Sequence, residues 1–385
     1  MRGRRLVAVT DPLAWLQERA AARWAQGLRR TLRPRAAAEP LIDLASNDYL
    51  GLARDPRVVA GAVDAVRTWG AGSTGSRLVT GSTELHAELE SELAAFCGVP
   101  AALVFSSGYT ANLGAVAALS GRGSLIVSAA ASHASLVDAC RLSRARVVVV
   151  PTHDVVAVDA ALADRTEQRA LVVTDSVGST DGDLAPLREL HAVCRARGAV
   201  LLADEAHGVG VRGPGGRGLV AEGGLAGQPD LVVTATLSKS LGSQGGAVLG
   251  ATAVIEHLVD AARSFIFDTG LAPAATGGAL AALRVLRSEP ELPTRVLRAA
   301  ATIARAAGVA GPTSAVVSVV LGDPDRAVAA AAECLRHGLR VGCFRPPSVP
   351  EGTSRLRLTA HAALSDAELA RVTEVLDEVL SGART

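Results

Sequence analysis

Lysine is almost missing from this chain: of 39 basic residues, 38 are arginine and one, Lys239, is lysine. Arginine provides charge and anion contacts, but it does not deprotonate in proteins and so cannot serve as an amine nucleophile. Chemistry that needs a side-chain amine must therefore pass through Lys239. Net charge is also nearly absent, at +1, which removes the overall field of a polyanion binder. Arginines cluster at Arg2-Arg4-Arg5 and at Arg29-Arg30-Arg33-Arg35, and such runs near a terminus read as solvated faces, so no nucleic-acid partner is expected. Among Cys97, Cys140, Cys194, Cys334 and Cys343 there is no C-x-x-C pair, which fits neither a disulfide framework nor a zinc site and points to a reducing cytoplasm. No run reaches 18 apolar residues, and Leu6 to Val9 is too short for a secretion signal. Neither a membrane span nor a signal peptide is expected.

With 385 residues, 49% of them hydrophobic, the chain has enough apolar material for one large globular domain and an appendage. Short apolar runs recur at Ala101 to Phe105, Ser124 to Val127, Arg146 to Val150, Ala170 to Thr174, Ala199 to Ala203, Asp230 to Thr234 and Gly246 to Leu249. Strands this apolar are buried on both faces, as in a mostly parallel sheet. Segments of helical length such as Tyr109 to Leu119 and Leu184 to Arg197 separate them, which predicts an α/β sandwich. Near residue 275 the pattern changes, and a smaller α+β domain is expected over 278–385, with strands at Ala315 to Leu321 and Leu356 to Leu358. Residues 1–45, with a helix around Pro12 to Arg30, read as an N-terminal arm, and 46–277 as the large domain.

Two motifs mislead. Gly70-Ala71-Gly72-Ser73-Thr74-Gly75 spells the dinucleotide fingerprint G-x-G-x-x-G, which requires a strand before it and a helix opening within it. Val58 to Trp69 instead has helical spacing, so a nicotinamide dehydrogenase remains only as an alternative. Asp204-Glu205-Ala206-His207 spells a helicase box, but the phosphate loop that must accompany it is missing, because Lys239 follows Ser238 rather than glycine.

Ligands of open α/β sheets bind beyond the carboxyl ends of the strands. Ser106-Ser107-Gly108, Ser132-His133, Asp175 to Ser179, Asp204 with His207, and Thr236 to Lys239 all fall at such ends. One amine, a strand-end carboxylate, two imidazoles and a glycine-bearing helix start, without metal spacing, suggest pyridoxal phosphate. Lys239 would bind its carbonyl carbon, Asp204 would keep the pyridine nitrogen protonated, and the amides of Gly108 and Tyr109 would hold the phosphate. Each piece alone reads equally as a helix cap or a structural residue. The conjunction with the sole lysine favours the cofactor.

At these residues the chain resembles a family. Ser46-Asn47-Asp48-Tyr49-Leu50-Gly51-Leu52, Gly75-Ser76-Arg77 with Gly81 and His86, Ser132-His133-Ala134-Ser135, Asp204-Glu205-Ala206-His207-Gly208 and Thr236-Leu237-Ser238-Lys239 are similar to motifs of the α-oxoamine synthases. These are fold-type I pyridoxal-phosphate enzymes that join an amino acid to an acyl thioester with loss of CO2. Phe344-Arg345-Pro346-Pro347-Ser348-Val349-Pro350 and Gly352-Thr353-Ser354-Arg355-Leu356-Arg357 resemble the branch acting on L-alanine and pimeloyl-CoA or pimeloyl-acyl carrier protein. Sister enzymes take glycine or serine with another acyl-CoA. The resemblance implies that His133 stacks on the pyridine ring, that His207 and Ser179 approach its phenolic oxygen, and that Thr236 contacts the phosphate. It also implies a homodimer with the active site at the subunit interface, Thr269 reaching the neighbouring subunit's phosphate. Asn47 and Arg355 are implied for the amino-acid carboxylate, Arg29 for the acyl substrate and Thr359 for a substrate contact. One departure is Gly178, which stands where family members commonly carry an aromatic and would either loosen the loop holding Ser179 or widen the pocket beside the cofactor.

Overall fold

The computed structural model describes residues 11–25 and 28–384. The Arg2-Arg4-Arg5 cluster and the first ten residues of the expected arm lie outside them. The chain divides after Pro40 into two compact units. In the first, a helix Ala14–Ala25 exposes Trp15 and Trp24, and Arg19 and Arg29 lay their guanidinium groups over these rings at 5.5 and 4.8 Å.

The described residues of the second unit form eleven strands: β1 (Ile42–Leu44), β2 (Ala101–Phe105), β3 (Ser124–Ala129), β4 (Arg146–Val150), β5 (Arg169–Asp175), β6 (Val200–Asp204), β7 (Leu231–Thr236), β8 (Gly246–Gly250), β9 (Val316–Gly322), β10 (Leu339–Phe344) and β11 (Ser354–Thr359). Seven form a sheet in the order β2-β8-β7-β6-β5-β3-β4. Successive residues of a strand point to opposite faces, and here, except at the edge strand β4, both faces are buried. Phe105, Ile126, Val173, Leu202 and Val232 enter one core; Val104, Val127, Val172, Leu201 and Val233 enter the other. Each such side chain contributes roughly 1.5–3 kcal/mol of transfer free energy, which explains why the runs are apolar throughout rather than alternating. The expected α/β sandwich with a mostly parallel sheet is present, and β8, antiparallel to β2 and β7, is its exception.

From β3 the chain runs outward to β4, then returns past β3 to β5 and continues through β6 and β7. This reversal between β3 and β5 is a topological switch point, where a crevice opens at the strand carboxyl ends. A second sheet has the order β1-β10-β11-β9. Its first strand, β1, lies within the segment that the sequence pattern assigns to the arm, and pairs in parallel with β10. Both β1 and β10 escape the sequence pattern, the first because it has three residues and the second because Arg340 and Gly342 interrupt its apolar run.

The fingerprint at Gly70 to Gly75 lacks its setting. Helix Pro56–Trp69 precedes it, Gly70 caps that helix at φ +86°, and the next helix opens only at Glu84. No helix among the described residues is long and apolar enough to cross a membrane.

Candidate active site

Asp175, Asp204 and Thr236 end three adjacent strands, β5, β6 and β7. Lys239 follows β7 in a tight loop closed by hydrogen bonds from Leu237 N–H to the Gly245 carbonyl and from Gly242 N–H to the Lys239 carbonyl. Gly242 has φ +57°, and a Cβ there would lie 2.4 Å from the Ala53 nitrogen. Glycine thus lets the loop press against residues 52 and 53. Lys239 is partly buried; burial lowers its pKa, opposed by the charges of Asp204 and Asp175 and reinforced by Arg357.

The Asp204 carboxylate is buried and held from two sides. Oδ1 accepts from Ala206 N–H at 2.9 Å, and Oδ2 accepts from the Asn112 side-chain amide at 2.7 Å. The same amide nitrogen donates to Ser135 Oγ at 2.8 Å, and Ser135 Oγ lies 2.7 Å from His133 Nδ1. One polar chain therefore runs from the carboxylate to an imidazole on another helix. Asn112 Oδ1 is buried without a hydrogen-bond partner.

His133 begins the helix Ala134–Ser143, and its backbone N–H donates to Asp175 Oδ2 at 2.9 Å. Its ring stays exposed, with a pKa lowered by partial burial against the opposing charge of Asp204. Burial, together with the charge of Asp204, pushes Asp175 up to about 8. Gly108 opens the helix Gly108–Leu119, whose first amides have no intrahelical acceptor. A Cβ on Gly108 would come within 3.3 Å of Thr236 Oγ1, so the helix start and the end of β7 are in close approach. The Tyr109 hydroxyl points elsewhere, donating to Asp138 at 2.6 Å.

His207 is buried, with its Nδ1 2.6 Å from the hydroxyl of the fully buried Tyr49. That hydroxyl lies 3.1 Å from Asn47 Oδ1, which accepts from Arg357 Nη1 at 3.1 Å. Arg357 Nε donates to the Ser179 carbonyl at 2.6 Å, so one buried guanidinium spans the Asn47 and Ser179 loops. Arg355, two residues earlier on β11, turns instead to the Thr353 carbonyl and Ser318 Oγ. The guanidinium beside Asn47 is therefore that of Arg357 rather than Arg355. The Thr359 hydroxyl donates to the Ser46 carbonyl at 2.6 Å and so holds the Asn47 loop. Thr269 is exposed, in a bridge with Ser76 and outside the buried group, and Arg29 lies in the first unit.

Sequence reasoning missed Asn112, Tyr49 and Arg357 as site residues. Tyr49 and Arg357 stand inside the quoted motifs, whereas Asn112 gives no signal beyond one polar residue in an apolar helix. The donor set suits pyridoxal phosphate: an amine, a carboxylate anchored by two donors, an exposed imidazole face and free amides at a helix start. Asn112, whose amide anchors Asp204, keeps its own Oδ1 buried and unpartnered.

Fold, switch-point crevice and donor set together define a fold-type I pyridoxal-phosphate enzyme. The model of the family "Aminotransferase class I and II" matches residues 39–376. The 8-amino-7-oxononanoate synthase of Mycolicibacterium gilvum is 67% identical over 374 residues, covering 97% of this chain and 98% of that protein. The Mycolicibacterium smegmatis enzyme of the same name is 67% identical over 375 residues, covering 97% and 98%. A solved structure of serine palmitoyltransferase with PLP superposes with a TM-score of 0.91 at 32% identity, covering 97% of this chain and all of that one. The chain belongs to the aminotransferase class I and II family and, within it, to the pyridoxal-phosphate-dependent 8-amino-7-oxononanoate synthases.

Proposed function

We propose that this enzyme condenses L-alanine with a pimeloyl thioester, carried on coenzyme A or on acyl carrier protein. The products are 8-amino-7-oxononanoate, CO2 and the free thiol carrier, in biotin biosynthesis. The observation that carries the reading is the position of the chain's one amine: Lys239 lies in the switch-point crevice, within the field of Asp204.

Pyridoxal phosphate, when bound, supplies an electron sink for the charge left by loss of a Cα proton or a carboxylate. Lys239, its pKa lowered by burial, holds a larger share of free amine than an exposed lysine and takes the Cα proton. Asp204, fixed by Asn112 and Ala206, keeps the ring nitrogen protonated. His133 would cover one face of the ring, and His207 and Ser179 would direct hydrogen bonds at its phenolic oxygen. Thr236 and the first amides of the Gly108 helix hold the phosphate, joined by Thr269 of a second subunit. Arg357 with Asn47 binds the alanine carboxylate, and the Arg29 cluster meets the acidic acyl carrier.

A homodimer is supported by the outer face of helix Pro56–Trp69, where Val59, Val63, Val66 and Trp69 are exposed beside a groove of about 510 Å³. Apolar faces of this kind mark subunit contacts. Five free cysteines support a cytoplasmic enzyme. A Cβ on Gly178 would collide with the Asp181 carboxylate, so the space beside this glycine is already filled.

The visible absorption of the purified protein, before and after addition of L-alanine, tests the reading. A yellow band that shifts with alanine and is absent in Lys239→Ala supports it. A protein that stays colourless with added pyridoxal phosphate refutes it.

A further inference from the structure

We infer that Ser135 is a positioning residue that holds His133 as the tautomer with an unprotonated Nδ1, so that the imidazole offers an Nε2–H donor and no free basic nitrogen. The inference rests on the proposed stacking of His133 on the cofactor and deepens it, by placing the ring's proton and naming the residue that fixes it.

Two donors of Ser135 converge on His133 Nδ1. His133 is the N-cap of the helix Ala134–Ser143, and its Nδ1 accepts from the backbone N–H of Ser135 at 3.3 Å. That amide stands in the first turn of the helix, where N–H groups have no intrahelical acceptor. A side-chain acceptor at the N-cap meets this need, and a protonated Nδ1 would not. The second donor is the Ser135 hydroxyl, whose Oγ lies 2.7 Å from the same nitrogen.

Counting protons outward from Asp204 gives the direction of this second contact. A carboxylate accepts, so the end of Asn112 that faces Asp204 Oδ2 at 2.7 Å is the amide nitrogen. Its other proton goes to Ser135 Oγ at 2.8 Å, where that oxygen is the acceptor. The single hydroxyl proton of the buried Ser135 then has one partner left among the described residues, His133 Nδ1. With the ring proton on Nδ1 instead, Ser135 Oγ would accept twice, its own proton would be buried unpaired, and the Ser135 amide would face a donor. Each of those groups is satisfied only by the Nε2–H ring. The helix N-terminus also disfavours an imidazolium. Burial lowers the His133 pKa against the opposing charge of Asp204, and the charge of Lys239 adds to burial.

Nε2 has no hydrogen-bond partner among the described residues, so its N–H is left to meet an oxygen of a bound molecule. The ring's one lone pair is committed to Ser135 and cannot take a Cα proton, which leaves that step to Lys239. Ser135→Ala removes the hydroxyl and leaves Nδ1 only the longer contact with the amide. The proton is then free to divide between the two nitrogens.

Nitrogen-15 NMR of histidine-labelled holoenzyme reads the tautomer, with the His133 signals identified by their loss in His133→Phe. In the wild type, Nδ1 should show an unprotonated shift and Nε2 a protonated one. In Ser135→Ala the Nδ1 signal should move toward the protonated range, and kcat should fall about fivefold on loss of one hydrogen bond, with cofactor retention unchanged. A wild-type ring protonated on Nδ1 overturns the inference, whether or not Ser135→Ala folds. Unchanged ring shifts in a folded Ser135→Ala overturn it as well. Failure of the cofactor reading is distinct, because it shows as the absence of a visible band in the wild type.

Discussion

Arg357 Nη1 lies 3.1 Å from Asn47 Oδ1, joining the third strand of the smaller sheet to the loop that follows β1. The two residues are 310 positions apart, and the contact exists because β1 and β11 both pair with β10. Replacing Arg357 by alanine removes the buried cation assigned to the amino-acid carboxylate. KM for alanine should rise by about 10- to 100-fold, the value of one or two charge-assisted hydrogen bonds. Arg355→Ala, whose guanidinium faces Ser318, should leave KM within about twofold of wild type. Steady-state kinetics over an alanine series separates the two.

Asn112 carries a second prediction. Its amide anchors Asp204 at 2.7 Å and Ser135 at 2.8 Å, and leucine would keep the volume while removing both donors. Asn112→Leu should fold but hold pyridoxal phosphate about tenfold more weakly, because Asp204 loses the donor that orients it. Cofactor retention on dialysis, followed by absorbance, measures it. Retention equal to wild type would mean that Ala206 alone orients the carboxylate.

The fold should weaken in mild acid through His86. This ring is fully buried, with Nε2–H donating to the Leu271 carbonyl at 2.9 Å and Nδ1 accepting from Thr83 N–H at 3.3 Å. Burial, with the charge of Arg77 adding, pushes its pKa down to about 4. Since an unfolded histidine titrates near 6.5, the unfolded chain binds a proton that the native ring refuses. Stability is therefore fully present above about pH 6.5 and is lost as pH falls toward about 4, by about 3 kcal/mol at most. Urea midpoints measured across this range should fall toward acid, and less steeply in His86→Gln. Equal slopes would remove His86 as the sensor.

The apolar face of helix Pro56–Trp69 gives a prediction about assembly. Val63 and Val66 are exposed on it, and charge there would oppose a subunit contact without entering the core. The pair Val63→Asp and Val66→Glu should shift sedimentation from dimer to monomer and reduce turnover, because Thr269 would no longer reach a neighbouring site. A doubly substituted protein that sediments as wild type would place the interface elsewhere.

Much of this architecture was legible in the sequence because burial on both faces writes a strand as an unbroken apolar run. Ala101–Phe105 has the bounds that its apolar run predicts, whereas Arg146–Val150 matches its run as an edge strand with three of its five residues exposed. Asp204 and Lys239 stood out for a related reason, since a charge directly after such a run and the only side-chain amine in the chain each break the pattern around them. The smaller sheet was harder to read. Strand β10 carries Arg340 and Gly342, and β1 is too short to show a period. The choice between Arg355 and Arg357 was closed to pattern reasoning altogether. Residues two apart on a strand share a face, and only the neighbours supplied by tertiary packing, Ser318 for one and Asn47 with Tyr49 for the other, tell them apart. Asn112 was hidden likewise, because a helix buried on most sides has no polar face against which one amide stands out.

Mass spectrometry of the products formed from pimeloyl-CoA with L-alanine, glycine or L-serine bears most directly on what this enzyme makes. With pyridoxal phosphate present, alanine should give 8-amino-7-oxononanoate, with one CO2 and one free coenzyme A for each molecule formed, and Lys239→Ala should give none. Product from serine or glycine in preference to alanine, or equal product from Lys239→Ala, would contradict the assignment.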